Sequence, residues 1–210
     1  MTNWHFIHDY ETLAQNCLNG AAINCAYVVF DWDRFLDNPY TFEELVKETQ
    51  YDKFLVKEQV KDFGYKIEDS TLDWWKQQDK EVRKKILPDE SDISLKQFCY
   101  NMFTYLKDYD IKYWWSRSNT FDPIFTQRFA ELSGMTNEFR ESLKFWLVRD
   151  TRTFIDAKTN FNKKMNSFIP TPPHIVINKH DCIHDVAIDV LRLQALIRYE
   201  NDLEMYVEKK

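Results

Sequence analysis

The chain has 210 residues, 44% of them hydrophobic and 30% charged, a composition that suits one globular domain with a sizeable core. Three glycines in the whole chain exclude glycine-rich phosphate loops of the P-loop or dinucleotide-binding kind. A net charge of −6 excludes a nucleic-acid coat working through excess Lys and Arg, yet it suits a carboxylate-rich site that divalent cations neutralise.

Trp4–His8 is a short aromatic and β-branched stretch ending at Asp9, and it predicts a strand. Asn19-Gly20 is a turn signal, and Ala21–Phe30 behind it predicts a buried strand, so the two strands are expected to pair antiparallel. Thr41, with Glu44 three residues on, begins a capped helix; Ser70 and Thr71 precede another; Pro88 closes the next helical piece. Ser91–Leu106 carries apolar residues at helical spacing. Ile111–Trp115 predicts an aromatic strand, and Phe121–Leu132 a helix with Pro123 in its first turn. Phe145–Val148 predicts a further strand. Asn160–Lys179, with Pro170, Pro172 and Pro173, predicts a long loop, and His184–Tyr206 the longest helix. The sum is an α/β fold, a mixed central sheet flanked by helices.

Cys17, Cys25, Cys99 and Cys182 are scattered without a C-x-x-C pair, which points to a reduced, cytoplasmic setting. The start lacks a secretory pattern, and no stretch approaches the ~20 apolar residues of a membrane span.

Asp9-Tyr10-Glu11 puts two carboxylates two residues apart, on one face of a strand. Like charges so close are tolerated only in water or around a cation; alone, the pair also fits a solvated turn. Asp122 follows Phe121 at a strand-to-helix junction, where a helix dipole would equally favour it. His184 precedes Asp189 by five residues, about 140° apart on an ideal helix. Both reach one site only if the His sits in the loop or first turn. His180 and Asp185 have the same spacing; the His184 register is preferred because it leaves Val186, Val190 and Leu193 for the core. Three Asp, one Glu and a His are a set that can hold two divalent ions about 4 Å apart and take a proton from water.

These residues resemble a known family. Asp9-Tyr-Glu-Thr12, Phe121-Asp122 and His184-Asp-Val-Ala-Ile-Asp189 resemble the three motifs of DEDDh 3'→5' exonucleases. Ser70-Thr-Leu-Asp-Trp-Trp-Lys-Gln-Gln, Arg149-Asp-Thr-Arg-Thr153 and His180-Asp-Cys-Ile-His-Asp185 resemble segments of the T-even phage exonuclease A family, which is similar to the mycobacterial-type 3'→5' exoribonucleases. The blocks run in order to about Tyr199. The resemblance implies an RNase-H-like (DnaQ-like) fold, a single exonuclease domain over residues 1–210, two Mg²⁺ or Mn²⁺ ions, and release of nucleoside 5'-monophosphates from single-stranded DNA, with RNA the close alternative. By position, Asp9 would bridge both ions, Glu11 and Asp189 would hold the one that activates water, Asp122 the second, and His184 would be general base. Thr12 would lie near the terminal sugar, with Phe121 beside it. His8, Ser118 and Asn119 depart from the family pattern.

Arg149 and Arg152 could grip phosphate with paired donors, or simply pair with Asp150 and Asp156. Of Trp74 and Trp75, about 100° apart on a helix, at most one can stack on a base, and Trp75 is assigned that place. Arg83-Lys84-Lys85 reads as a solvated helix face. A binding protein that keeps the fold without turnover is the rival from another class, but it would be expected to lose a ligand or the His. A homodimer is a common assembly for soluble chains, and nothing in the sequence marks an interface.

Overall fold

The computed structural model describes residues 2–172 and 174–205. In chain order the elements are β1 (Trp4–Thr12), β2 (Ala22–Asp31), α1 (Arg34–Asp37), α2 (Phe42–Glu48), β3 (Gln50–Lys53), α3 (Val56–Phe63), α4 (Asp69–Lys76), α5 (Lys80–Lys85), α6 (Leu95–Leu106), β4 (Tyr113–Ser116), α7 (Asp122–Leu132), α8 (Thr136–Ser142), β5 (Val148–Asp150), α9 (Thr151–Lys158) and α10 (Cys182–Glu200), with 3₁₀ turns at Phe145–Leu147 and Met165–Ser167. The strands form one sheet in the order β3-β2-β1-β4-β5. β2 lies antiparallel to both β1 and β3, whereas β4 lies parallel to both β1 and β5.

The sheet is mixed, as expected, and it separates two cores. Alternation along β1 sends Phe6 and Tyr10 to one face, where α6 and α7 bring Phe98, Met102, Phe125 and Phe129. Ile7 goes to the other face, where α10 brings Val186, Val190 and Leu193. β2 is buried from Ala22 to Phe30 and apolar there except at Asn24, because both its faces are covered. No described helix is long and apolar enough to cross a membrane.

Several expected elements shift. Phe145–Leu147 forms a 3₁₀ turn and the strand starts at Val148; Phe145 and Trp146 are exposed, so their hydrophobicity marks surface rather than a buried strand. β1 continues past His8 to Thr12. α10 starts at Cys182 and ends at Glu200, short of Tyr206, which, like Pro173, lies outside the described residues. Asn19-Gly20 closes no two-residue hairpin, because residues 13–21 intervene between the strands. Gly20 is required there for space: a Cβ would sit 2.5 Å from the Asn16 carbonyl oxygen and 2.8 Å from the Ala14 Cβ.

Candidate active site

Asp9 and Glu11 lie beyond the stretch of β1 that pairs with β4, at the carboxyl end of the parallel strands. In open α/β sheets this end is where ligands bind. Tyr10 between them points into the opposite core, its hydroxyl 2.9 Å from Thr126 Oγ1. Its backbone N–H donates to Asp122 Oδ1 at 3.3 Å, which ties the start of α7 to the strand end. Trp75 Nε1 donates to the Thr12 carbonyl at 2.8 Å and pins the strand's last residue.

Asp122 opens α7, followed by Pro123, which needs no hydrogen bond in a first turn. Its carboxyl is 4% exposed as a residue and faces the same cleft as Asp9 and Glu11. The cleft, about 440 Å³, is also lined by His180, Asp185 and Asp189 from the α10 region.

Here the geometry brings together a pair other than the expected one. His180 sits in the turn before α10 with φ at +63°, and its N–H donates to Asp185 Oδ2 at 3.1 Å. Ligand atoms of Glu11, His180 and Asp185 all lie within 4.8 Å of one another. His184 does not line the cleft. Its Nδ1 accepts the Asn178 N–H at 2.9 Å and its ring stands edge-on to Phe42. Asp189 lines the cleft but is held by Arg117 Nη1 at 2.7 Å, Arg192 Nη1 at 2.6 Å and Thr151 Oγ1 at 3.1 Å. The stated condition, a His before the helix and an Asp on it, is met by His180 and Asp185. The core argument for the other register fails because positions four apart share a helix face, so Val186, Val190 and Leu193 are buried whichever Asp faces the cleft. The usable signal was Asp181, a preferred N-cap type that places His180 outside the helix.

Burial and mutual repulsion push the carboxyls up. Asp9 is raised by burial and then by Asp122, Glu11, Asp185 and Asp189. Glu11 is raised by burial and then by Asp185 and Asp122. Burial lifts Asp122 to about 7 against the Tyr10 N–H, and lifts Asp185 to about 6 with Asp189 adding to it. His180 is lowered by burial and by Lys179. Four carboxylates that repel one another, Asp122 buried and Asp9, Glu11 and Asp185 half-buried, with an imidazole beside them, are hard-oxygen and nitrogen donors suited to divalent cations such as Mg²⁺ or Mn²⁺. The residues therefore fit the ions.

The expected substrate contacts divide. Phe121 and Arg152 line the cleft. Thr12 lines an adjoining cavity of about 420 Å³ with Trp74 and Trp75. Trp75 is a core residue, 3% exposed and bound to Thr12, so its ring face is not free. Trp74 is the tryptophan at the site edge, 39% exposed and edge-on to His180 at 4.7 Å. Arg149 does not reach the cleft: it stacks over Tyr113 and donates to the Trp146 and Val148 carbonyls. Sequence reading missed Arg117 and Arg192, which line the cleft from the end of β4 and from α10.

Residues 4–196 match the family model of the 3'-5' exoribonuclease Rv2179c-like domain. The chain is 33% identical over 216 residues to the exodeoxyribonuclease of Enterobacteria phage T4, covering 95% of this chain and 91% of that protein. In structure it is similar to E. coli exonuclease I in a zinc-bound complex with single-stranded DNA, at a TM-score of 0.65 and 11% identity over 96% of this chain and 42% of that one. It is also similar to exonuclease I from Methylocaldum szegediense, at a TM-score of 0.60 and 12% identity over 91% of this chain and 40% of that one. The chain thus spans about two-fifths of the exonuclease I chains whose fold it shares. Fold and sequence together define a 3'-5' exonuclease, a hydrolytic nuclease with the RNase-H-like sheet. The chain belongs to the Rv2179c-like 3'-5' exoribonuclease domain family.

Proposed function

We propose that this cleft removes nucleoside 5'-monophosphates from the 3' end of single-stranded nucleic acid, with Asp9, Glu11, Asp122 and Asp185 holding two Mg²⁺ or Mn²⁺ ions and His180 as general base. The carrying observation is the convergence of Glu11, His180 and Asp185 within 4.8 Å, in the cleft that Asp9 and Asp122 also line. When bound, the ions supply Lewis-acid charge that offsets the negative charge of the phosphodiester. His180, lowered by burial and Lys179, is neutral at pH 7 and can accept a proton from the attacking water. The water oxygen bonds to phosphorus, the P–O3' bond breaks, the O3' oxygen left on the shortened strand takes up a proton from solvent, and the phosphate leaves on the released nucleotide. Asp185 holds the His180 backbone, so the base is positioned by a neighbouring ligand. Trp74 offers a ring face to the terminal base, and Arg152 a charge to phosphate. The match over residues 4–196 supports reading residues 1–210 as one exonuclease domain.

DNA is the favoured substrate because the phage T4 protein, described as an exodeoxyribonuclease, matches along 95% of this chain. RNA is the second reading, favoured by the exoribonuclease family model. The test is a 5'-labelled single strand of one sequence, as DNA and as RNA, with Mn²⁺. A ladder shortening from the 3' end, faster on DNA, is expected. A faster RNA ladder reverses the substrate assignment, and no ladder on either strand refutes the reading.

A further inference from the structure

Asp189 is the one carboxylate of the cleft whose charge is already matched by the protein's own cations. Its Oδ1 accepts from both Arg117 and Arg192 and its Oδ2 from Thr151. This withdraws it from ion binding and leaves two guanidiniums around one carboxylate, a local charge of +1 in a cleft that Arg152 and Lys179 also line. Each guanidinium is held a second time. Arg117 Nη2 donates to the Asn166 carbonyl and Arg192 Nε to the Phe168 carbonyl at 2.8 Å. Arg117 Nε and Arg192 Nη2 have no hydrogen-bond partner among the described residues, while both side chains line the cleft. Two arginines locked in place at an open wall, with donors to spare, are built for an anion.

The cavity that Thr12 and Trp74 line opens from the cleft through Glu11 and Phe121. Arg117 and Arg192 line the cleft but not that cavity. A strand whose terminal nucleoside occupies the cavity continues into the cleft, which the arginines line. We infer that Arg117 and Arg192, positioned by Asp189, bind the backbone phosphate of the nucleotide upstream of the scissile bond, an anion subsite that rests on the proposed hydrolysis for its orientation. The triad then grips the strand that remains, while the carboxylates handle the linkage that breaks.

Two measurements test this. Binding of a fluorescein-labelled oligothymidylate is followed by anisotropy with Ca²⁺ over a range of salt. Arg117→Gln and Arg192→Gln should each flatten the plot of log Kd against log salt by about 0.7, the value of one phosphate contact on a single strand. Hydrolysis of the oligothymidylate with Mn²⁺ is compared with that of p-nitrophenyl thymidine 5'-monophosphate, which has one phosphodiester and no upstream nucleotide. Each substitution should raise KM about tenfold more on the oligonucleotide than on the small ester. Asp189→Asn, which loosens both arginines, should show the same bias. Should Arg117→Gln fail to fold, Arg117→Lys takes its place: a KM rise confined to the oligonucleotide, with the salt slope kept, supports the subsite. Equal losses on both substrates, or salt slopes unchanged in the Gln variants, would make the triad an internal staple and overturn the inference. If the wild type hydrolyses neither substrate, the proposed function fails, and the salt slopes alone still decide the arginine assignment.

Discussion

Asp122 enters the cleft through the first turn of α7 with a carboxyl that burial pushes up to about 7 from an ordinary 3.8. Without divalent ions, the folded protein holds that proton across a range where the unfolded chain has lost it. Stability must then fall as pH rises from about 3.8 to about 7, and the full penalty stands above 7. His5 and His8, pushed down to about 4 by burial, act in the opposite sense between about 4 and their ordinary 6.5. The comparison with Asp122→Asn separates the two effects. In EDTA, Asp122→Asn should melt higher than wild type at pH 8 by a few degrees, at about 2–4 °C per kcal/mol for a chain of this size, and the gain should shrink at pH 5. A gain independent of pH would mean that the carboxyl is not buried among like charges. At this scale the sequence was informative for Asp9, Glu11 and Asp122, because strand period and a helix-start proline fix their direction. It was uninformative for Arg117, since nothing local tells that a residue just after a strand will turn back to meet Asp189.

The strand ends that carry the site depend on contacts which take no part in the chemistry. α4 holds the end of β1 through the Trp75 indole and the Thr12 carbonyl. Trp75→Phe keeps a ring but leaves that carbonyl unpaired, at a cost of about 1–3 kcal/mol. It should lower the melting temperature and also kcat, because Glu11 and Thr12 share the loosened strand end. Loss of stability with kcat intact would uncouple α4 from the site. Gly20→Ala tests the turn between β1 and β2. Its Cβ would press on backbone at 2.5 Å, and overpacking of this kind costs about 1–3 kcal/mol. A chemical-denaturation midpoint equal to wild type would show that the turn yields freely. The helix register of α10 was the element least legible from sequence. Two His-x4-Asp pairs overlap there, and a helix buried around most of its girth offers no polar stripe to choose between them.

At the scale of the molecule, the sheet divides two aromatic and aliphatic cores, and the cleft forms where β1, α7 and α10 meet at one end of it. The class of fold was legible from the order of strand and helix patterns. β3, by contrast, is short and half-polar, and only its pairing with β2 makes it a strand. Because carboxylates from β1, α7 and α10 repel one another, a divalent ion should tie the whole domain together. Mn²⁺ at a hundredfold excess over its Kd is expected to add about 2.7 kcal/mol of stability. The rise in melting temperature should be lost in Asp9→Asn. A rise that persists in that variant would place the ion elsewhere.

In the proposed mechanism His180, not His184, serves the hydrolysis. The measurement is the initial rate of 3' shortening of a 5'-labelled single strand by His180→Ala and by His184→Ala, each beside wild type. His180→Ala should fall by about 10²–10⁴-fold, the contribution of a general base. His184→Ala, which loses only the Asn178 contact and the Phe42 packing, should stay near the wild-type rate. A large loss in His184→Ala with His180→Ala near wild type would make His184 the base.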